Sequence, residues 1–558
     1  MNIKKTTHYT LAFCLLFSFN DATTAQHKPR LTIIFIVDQF SYNALQKYRH
    51  YFKHGLQTLI SKGVEYTNAY HPHAMPATAT GHAALSTGTY AKNHGIISNT
   101  WLDENNTLTT ACSDTYERAA VFSPTGTYDY GVSSRLLMVD TLSDQFTLQS
   151  THNKNYHSYA LSMKDYAAVQ IAGKLGKAIW FDGQTGHFTS SKAYFESLPL
   201  WIKNFNNKHC MDKLQQVTWS LAKPCISNAY IWAHEQSFEH ADHKEGLVGT
   251  QVPIEWDTNP KNPFSLFMQT PHANKLLLDC AQTCINTHIT KKNDDQLLLW
   301  ISLSSLDKAG HAFGPDSKET IDIIYHLDKQ LERFMRCARR IAGKKETLFV
   351  LTSDHGISPI IENLEKKGIP CQRYASKDMI KNLNKHIHTK HAESSLISGY
   401  SNPQFYLNHS PFNRLDPKKQ EIIIKDAKQF LTEQKGVKQI WTYNELQSSI
   451  FEPNTLESYY KNQLYPGRSG QLIVQMLPYY DISDYRLGAD HTSPYDYNTH
   501  VPLILFQHGS IELKTIGQRV STLQLANTLA DILQIPKPSA STSERLPGID
   551  AEINDLLF

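Results

Sequence analysis

Three aspartates and three histidines in this chain share a sequence context. Asp38 closes the apolar run Leu31–Val37. Asp307 and His311 are four residues apart in Leu306-Asp-Lys-Ala-Gly-His-Ala-Phe. Asp354 and His355 are adjacent and precede Gly356, and His491 follows Asp490. Carboxylates and imidazoles together suit Zn²⁺, and Asp-x-x-x-His can bring two ligands to one metal from a single helical turn. A second feature is the hydroxyl-rich stretch Pro76-Ala-Thr-Ala-Thr-Gly-His82, followed by small residues. It reads as a turn feeding a helix, where a hydroxyl meets free backbone N–H groups. A hydroxyl there is an ordinary helix cap or, beside zinc, a nucleophile active near neutral pH.

Those residues need a scaffold that converges on one edge. Leu31–Val37, Gln296–Leu303 and Thr347–Ser353 are continuous apolar or β-branched runs, the pattern of strands buried on both faces. Val501–Phe506 is a fourth such run. Between them, Tyr42–Lys62 reads as one helix, Ile324 to Ala338 repeats apolar residues at helical spacing, and Ser521–Gln534 closes the chain as a helix. Alternating strands and helices predict an α/β fold with a mostly parallel central sheet flanked by helices. Ligands of such sheets bind beyond the carboxyl ends of the strands, which is where three of these runs place Asp. Residues of about 100–290 and 360–490 are expected as insertions, cap regions roofing that edge within a single catalytic domain spanning 26–558. His71 and His73 are expected on a solvent-exposed loop.

Of the 558 residues, 41% are hydrophobic and 19% charged, which excludes global disorder. A net charge of +3 argues against nucleic acid as a dedicated partner. Lys4 and Lys5, the apolar stretch Leu11–Phe19 and the small residues up to Ala25 read as an export signal occupying 1–25. The expected location is therefore periplasmic or secreted, with no membrane span in the mature chain. No CxxC pair suggests a thiolate metal site, and Cys210 with Cys225 is the most plausible local bridge.

The ordered set Asp38, Thr78-Ala-Thr-Gly-His82, Asn99, Ser162-Met-Lys-Asp165, Asp307-x-x-x-His311, Asp354-His355-Gly356 and His491 resembles the alkaline phosphatase superfamily. Within it, the chain is similar to the exported, phosphate-irrepressible PafA-type alkaline phosphatases from about Leu31 onward, including Gly467-Arg-Ser-Gly470 and Thr499-His-Val-Pro502. The resemblance implies an alkaline-phosphatase-like fold and two Zn²⁺ per chain. One zinc would take Asp307, His311 and His491; the other would take Asp38, Asp354, His355 and Thr78. It implies Thr78 as nucleophile, with Thr80, where the family usually has Pro, a distant second. Asn99 and Lys164 match the family's phosphate-binding donors. His82, His94 and His500 are expected to pack or orient neighbours.

The expected activity is hydrolysis of small organic phosphate monoesters through a phosphothreonine intermediate. One departure stands out: relatives usually carry Lys-Asp-Arg where this chain has Lys164-Asp165-Tyr166. Tyr166 thus takes a substrate-binding position without the bidentate charge of Arg. A nucleotide pyrophosphatase or phosphodiesterase of the same superfamily is the alternative enzyme, and Tyr166 favours it mildly. A sulfatase is disfavoured, because its Cys or Ser motif for formylglycine is missing. A non-catalytic metal-binding surface protein is the alternative of another class, though the full ligand set argues against it.

Overall fold

The computed structural model describes residues 27–209, 217–223, 227–230, 251–252, 264–401, 403–483 and 488–549. Nine strands form the central sheet: β1 (Leu31–Val37), β2 (Val64–Tyr66), β3 (Tyr156–Ser162), β4 (Lys177–Asp182), β5 (His187–Thr189), β6 (Gln296–Leu303), β7 (Thr347–Thr352), β8 (Leu503–Gln507) and β9 (Lys514–Ile516). The spatial order is β5-β4-β3-β6-β1-β7-β8-β2-β9. The run β4-β3-β6-β1-β7 is parallel throughout, while β8 is antiparallel to both its neighbours.

β1 shows why its sequence is apolar at every position. Ile33, Phe35 and Val37 enter one core and Ile34 and Ile36 the other, so both faces of the strand are covered. The covering helices include α1 (Tyr42–Tyr48), α2 (Gly55–Lys62), α3 (Thr78–Thr87), α4 (Asp165–Ala172), α5 (Pro271–His288), α6 (Ser305–Phe313), α7 (Lys318–Ala342) and α8 (Gln524–Leu533). Every residue of α3 is buried, which its small side chains permit. Among the described residues no helix is long and apolar enough to cross a membrane.

Three expectations are corrected. Tyr42–Lys62 is two helices rather than one, separated by a 3₁₀ turn at Arg49–Tyr51 and extended backbone at Phe52. The carboxylate of Asp328 on α7 makes the break, accepting the N–H groups of Lys53 and Leu56 at 2.9 Å each. A tertiary acceptor thus overrides a locally helical pattern. Secondly, Tyr156–Thr189, inside the first stretch expected as an insertion, supplies β3, β4 and β5 of the central sheet. By contrast, the segment from 376 to 482 carries a separate four-stranded sheet with its own core of Met379, Leu383, Phe405, Ile423 and Leu472.

Thirdly, His71 and His73 are 0% and 1% exposed. His71 is held between the Ser353 carbonyl (2.7 Å) and the Thr522 hydroxyl (2.9 Å), so its ring is enclosed by the segments after β7 and before α8. The expected Cys210–Cys225 bridge and the expected export signal lie outside the described residues. The described cysteines are free thiols, and Cys112, Cys280 and Cys284 are buried.

Buried histidines make a stability prediction. Burial lowers His71 to about 4 and His94 to about 3, so both are neutral in the folded chain. Above about pH 6.5 neither the folded nor the unfolded chain protonates them. Below it, the unfolded imidazoles bind protons that the folded ones refuse, until pH reaches the folded values. Stability is expected to fall as pH drops through that window, by about 1.4 kcal/mol per pH unit for each group. Urea midpoints between pH 7 and 5 check this, and the decline should be shallower in His94→Gln. An equal decline in that variant would refute the His94 contribution.

Candidate active site

The register of β1 brings three aspartates together. β1 lies between β6 and β7, with Val37 opposite Leu303 and Ile36 opposite Thr352. Asp38, α6 with Asp307, and Asp354 therefore leave three neighbouring parallel strands at the same edge. The Asp38 N–H bonds the Leu303 carbonyl at 3.1 Å, and the Phe40 N–H bonds Ser353 Oγ at 3.0 Å, which ties the three strand ends together.

The six candidate ligands fall into two groups. Asp307, His311 and His491 have donor atoms within 4.8 Å of one another, and so do Asp38, Asp354 and His355. His311 Nε2 is 3.2 Å from Asp307 Oδ1; His355 Nε2 is 3.5 Å from both Asp38 Oδ1 and Asp354 Oδ2. The groups adjoin, since the His355 and His491 rings stack with centroids 3.6 Å apart.

The residues fit a metal on two observations. Each imidazole faces a backbone carbonyl through Nδ1: His311 on Ala489 (2.8 Å), His355 on Gly356 (2.9 Å) and His491 on Pro76 (2.7 Å). A carbonyl only accepts, so Nδ1 carries a proton in each ring, which leaves Nε2 as the atom aimed at the carboxylates and the one open to a metal. Moreover, Asp38 Oδ1 and Asp354 Oδ2 are buried and accept no hydrogen bond. Polar oxygens in that state need a cation.

Among the described residues, Lys164 is the ammonium that bridges the two groups, 2.6 Å from Asp38 Oδ2 and 2.5 Å from Asp307 Oδ2. Burial works against its charge, but Asp307 and Asp38 outweigh it and hold the amine well above its ordinary range. Burial pushes Asp38 well up, with Asp307 and Asp354 adding to it, whereas Lys164 and His311 hold Asp307 down despite its burial. Burial lowers His355 to about 3, leaving the neutral imidazole that metal binding requires.

Thr78 is the first residue of α3, and the cap residue is Ala77. The Thr78 hydroxyl is therefore not a helix cap. Its Oγ1 lies 3.4 Å from His355 Nε2 and accepts from Lys164 Nζ at 3.2 Å. The approach of α3 depends on Gly81, where a Cβ would meet the Asp354 carbonyl at 2.4 Å. Thr80 is buried and its hydroxyl has no partner, but it does not border the cavity.

That cavity, about 500 Å³, is lined by Thr78, Asn99, Lys164, Tyr166, Asp307 and His491 among others. Asn99 Oδ1 accepts the Ala79 N–H at 2.8 Å, which leaves its NH₂ for the cavity. The ring of Tyr166 stands 5.8 Å from Lys164 Nζ, and burial pushes its hydroxyl pKa up, so it stays a neutral phenol.

His82, expected to orient neighbours, bonds the Thr78 carbonyl and Ser302 Oγ at 2.8 Å each and lies 3.3 Å from Asp354 Oδ2. His94 accepts the Ile96 N–H at 3.1 Å, and His500 stacks on Tyr70; neither joins the ligand groups.

Sequence reasoning missed Gln39. Its backbone is left-handed (φ 71°), its N–H reaches Asp354 Oδ1 at 3.3 Å and its Nε2 donates to Asp307 Oδ1 at 3.2 Å. It thus spans both groups. The one signal available was its place directly after Asp38.

The family described as type I phosphodiesterase / nucleotide pyrophosphatase matches residues 32–502. Alkaline phosphatase PafA of Elizabethkingia meningoseptica is 27% identical over 546 residues, covering 94% of this chain and 95% of that protein. A protein named calcium-transporting ATPase from Myroides odoratus is 27% identical over 556 residues, covering 97% of this chain and 98% of its own. A crystal structure of wild-type alkaline phosphatase PafA superposes with a TM-score of 0.83 at 25% identity, covering 94% of this chain and 99% of that one.

Proposed function

Since the chain belongs to the type I phosphodiesterase / nucleotide pyrophosphatase family of the alkaline phosphatase superfamily, and is a phosphoester hydrolase by that membership, we propose that it is an exported, zinc-dependent phosphomonoesterase. Its substrates are small organic phosphates, cleaved through a phosphothreonine intermediate. The observation that carries the reading is the position of Thr78 Oγ1, at a helix N-terminus, 3.4 Å from His355 Nε2 and 3.2 Å from the Lys164 amine that pairs with Asp307.

Asp307, His311 and His491 would hold one zinc and Asp38, Asp354 and His355 the other. Bound there, zinc supplies Lewis acidity and a lowered pKa for the oxygens that attack and leave. The rest is done by side chains. Thr78 Oγ attacks phosphorus in line, its bond to phosphorus forming as the ester oxygen departs on the opposite side. Water then takes the phosphoryl group from Thr78 and regenerates the hydroxyl. The Asn99 NH₂ and the Lys164 ammonium bind non-bridging oxygens, where charge sits in a loose transition state. The Lys164 amine, 3.2 Å from Thr78 Oγ1, is within reach of those oxygens.

Tyr166 on the cavity wall is the observation favouring a diesterase, because a neutral phenol tolerates the second ester group better than a guanidinium would. Zinc-loaded protein is expected to hydrolyse a nitrophenyl phosphate monoester with kcat/KM at least about tenfold above that for the bis(nitrophenyl) diester, a difference of about 1.4 kcal/mol. The opposite order would replace this reading by the diesterase one.

A further inference from the structure

A monoester dianion brings one more negative charge to the site than a diester. Lys164 is a single cation, and it already faces Asp38 and Asp307. Residue 166, where the resemblance to the family implies Arg, is here a neutral Tyr. Among the described residues, the stretch 360–490 contributes Ser376, Tyr400, Ser401, Ile482, Ser483 and Asp490 to the cavity wall, and none of these is a cation.

A second lysine does border the cavity. Lys308 sits on α6 directly after Asp307 and three residues before His311, a spacing that makes 308 and 311 neighbours on the helix surface. It lines the same cavity as Thr78, Asn99, Lys164 and Tyr166. Burial, and then the Lys164 charge, lower its amine from the ordinary lysine range, while Asp307, Asp38 and Asp165 act the other way. Yet among the described residues no carboxylate is paired with that amine, which is left available to an anion entering the cavity.

We propose that Lys308 is the second cation for the phosphoryl group, so that this chain selects monoester dianions with a lysine from α6 instead of an arginine at 166. Lys164 and Lys308 then bracket the non-bridging oxygens, and Tyr166 stands on the same cavity wall as a neutral group. This rests on the monoesterase reading above for its role in turnover, but the binding of phosphate itself does not.

The test uses zinc-loaded protein with Lys308→Gln, Lys308→Arg, and Lys308→Gln combined with Tyr166→Arg. A charge-assisted contact of this kind corresponds to roughly a tenfold to hundredfold change. Lys308→Gln is expected to lower monoester kcat/KM by about that factor, with diester kcat/KM changed less than about threefold. Lys308→Arg should keep most of the parent rate, and adding Tyr166→Arg to Lys308→Gln should recover much of the loss. An equal fall for both esters, or no fall for either, overturns the assignment.

Calorimetric titration with inorganic phosphate separates this from the activity reading. A Kd raised about tenfold in Lys308→Gln supports Lys308 even if the parent protein turned over no monoester. An unchanged Kd overturns it even if the monoesterase reading held. Zinc content is measured on each protein. A Lys308→Gln protein short of zinc also overturns the assignment, because the lysine would then be serving Asp307 rather than phosphate.

Discussion

Thr78→Ala is expected to lower phosphomonoesterase activity by on the order of 10⁴-fold while leaving zinc content unchanged. The variant removes the attacking oxygen and nothing else that binds metal through a charged group. Losing a nucleophile costs far more than losing a contact, because no second group on the protein can take the covalent step. The helix should survive: Ala77 is the cap and the Thr78 hydroxyl caps nothing, so Ala at 78 costs little locally. Thr80→Ala is the control. Thr80 is buried with its hydroxyl unpartnered and away from the cavity, so the change should be mild. Trapping of labelled phosphate on the protein at low pH should give phosphothreonine in the parent and none in Thr78→Ala. Near-parent activity in Thr78→Ala with loss in Thr80→Ala would move the nucleophile two residues along.

The second large effect is expected at Asp307. Asp307→Asn keeps the shape of the side chain and removes its charge. Lys164 then loses the carboxylate 2.5 Å away, and His311 and His491 lose the anion that completes their group. Zinc content is expected to drop from two per chain toward one, and activity to fall on the order of 10³-fold. His491→Ala should do the same through the loss of one imidazole. Chelation of the parent should abolish turnover, with recovery on adding zinc back. Elemental analysis finding two zincs in a nearly active Asp307→Asn protein would refute this division of ligands.

The edge of the sheet was legible because its signals are local. A strand buried on both faces must be apolar throughout, and Asp38 and Asp354 each follow directly on such a run. Asp307 and His311 share a helical turn, so their spacing alone carried the pairing. What escaped is tertiary. Nothing near Phe52 announces that Asp328, far along the chain, will split the expected helix. His71 and His73 look like polar loop residues until Ser353 and Thr522 enclose the first of them. Gln39 is an unremarkable residue whose role appears only once its left-handed backbone turns it toward Asp307. Lys308 was hidden by the ordinary habit of lysine to face water, and the sequence cannot say which side of α6 meets the cavity.

The segment from 376 to 482 folds about a core of its own, yet among the described residues reaches the cavity only through Ser376, Tyr400, Ser401 and Ile482. The candidate ligands, Thr78 and both lysines lie outside it. On the proposed reading, selection acting on that segment can therefore alter which ester is accepted while the candidate catalytic groups stay as they are. For an engineer the same separation marks where a library belongs: randomising those four positions varies the cavity wall without touching the candidate metal donors. A lineage could diversify its diet in the same way, one wall at a time.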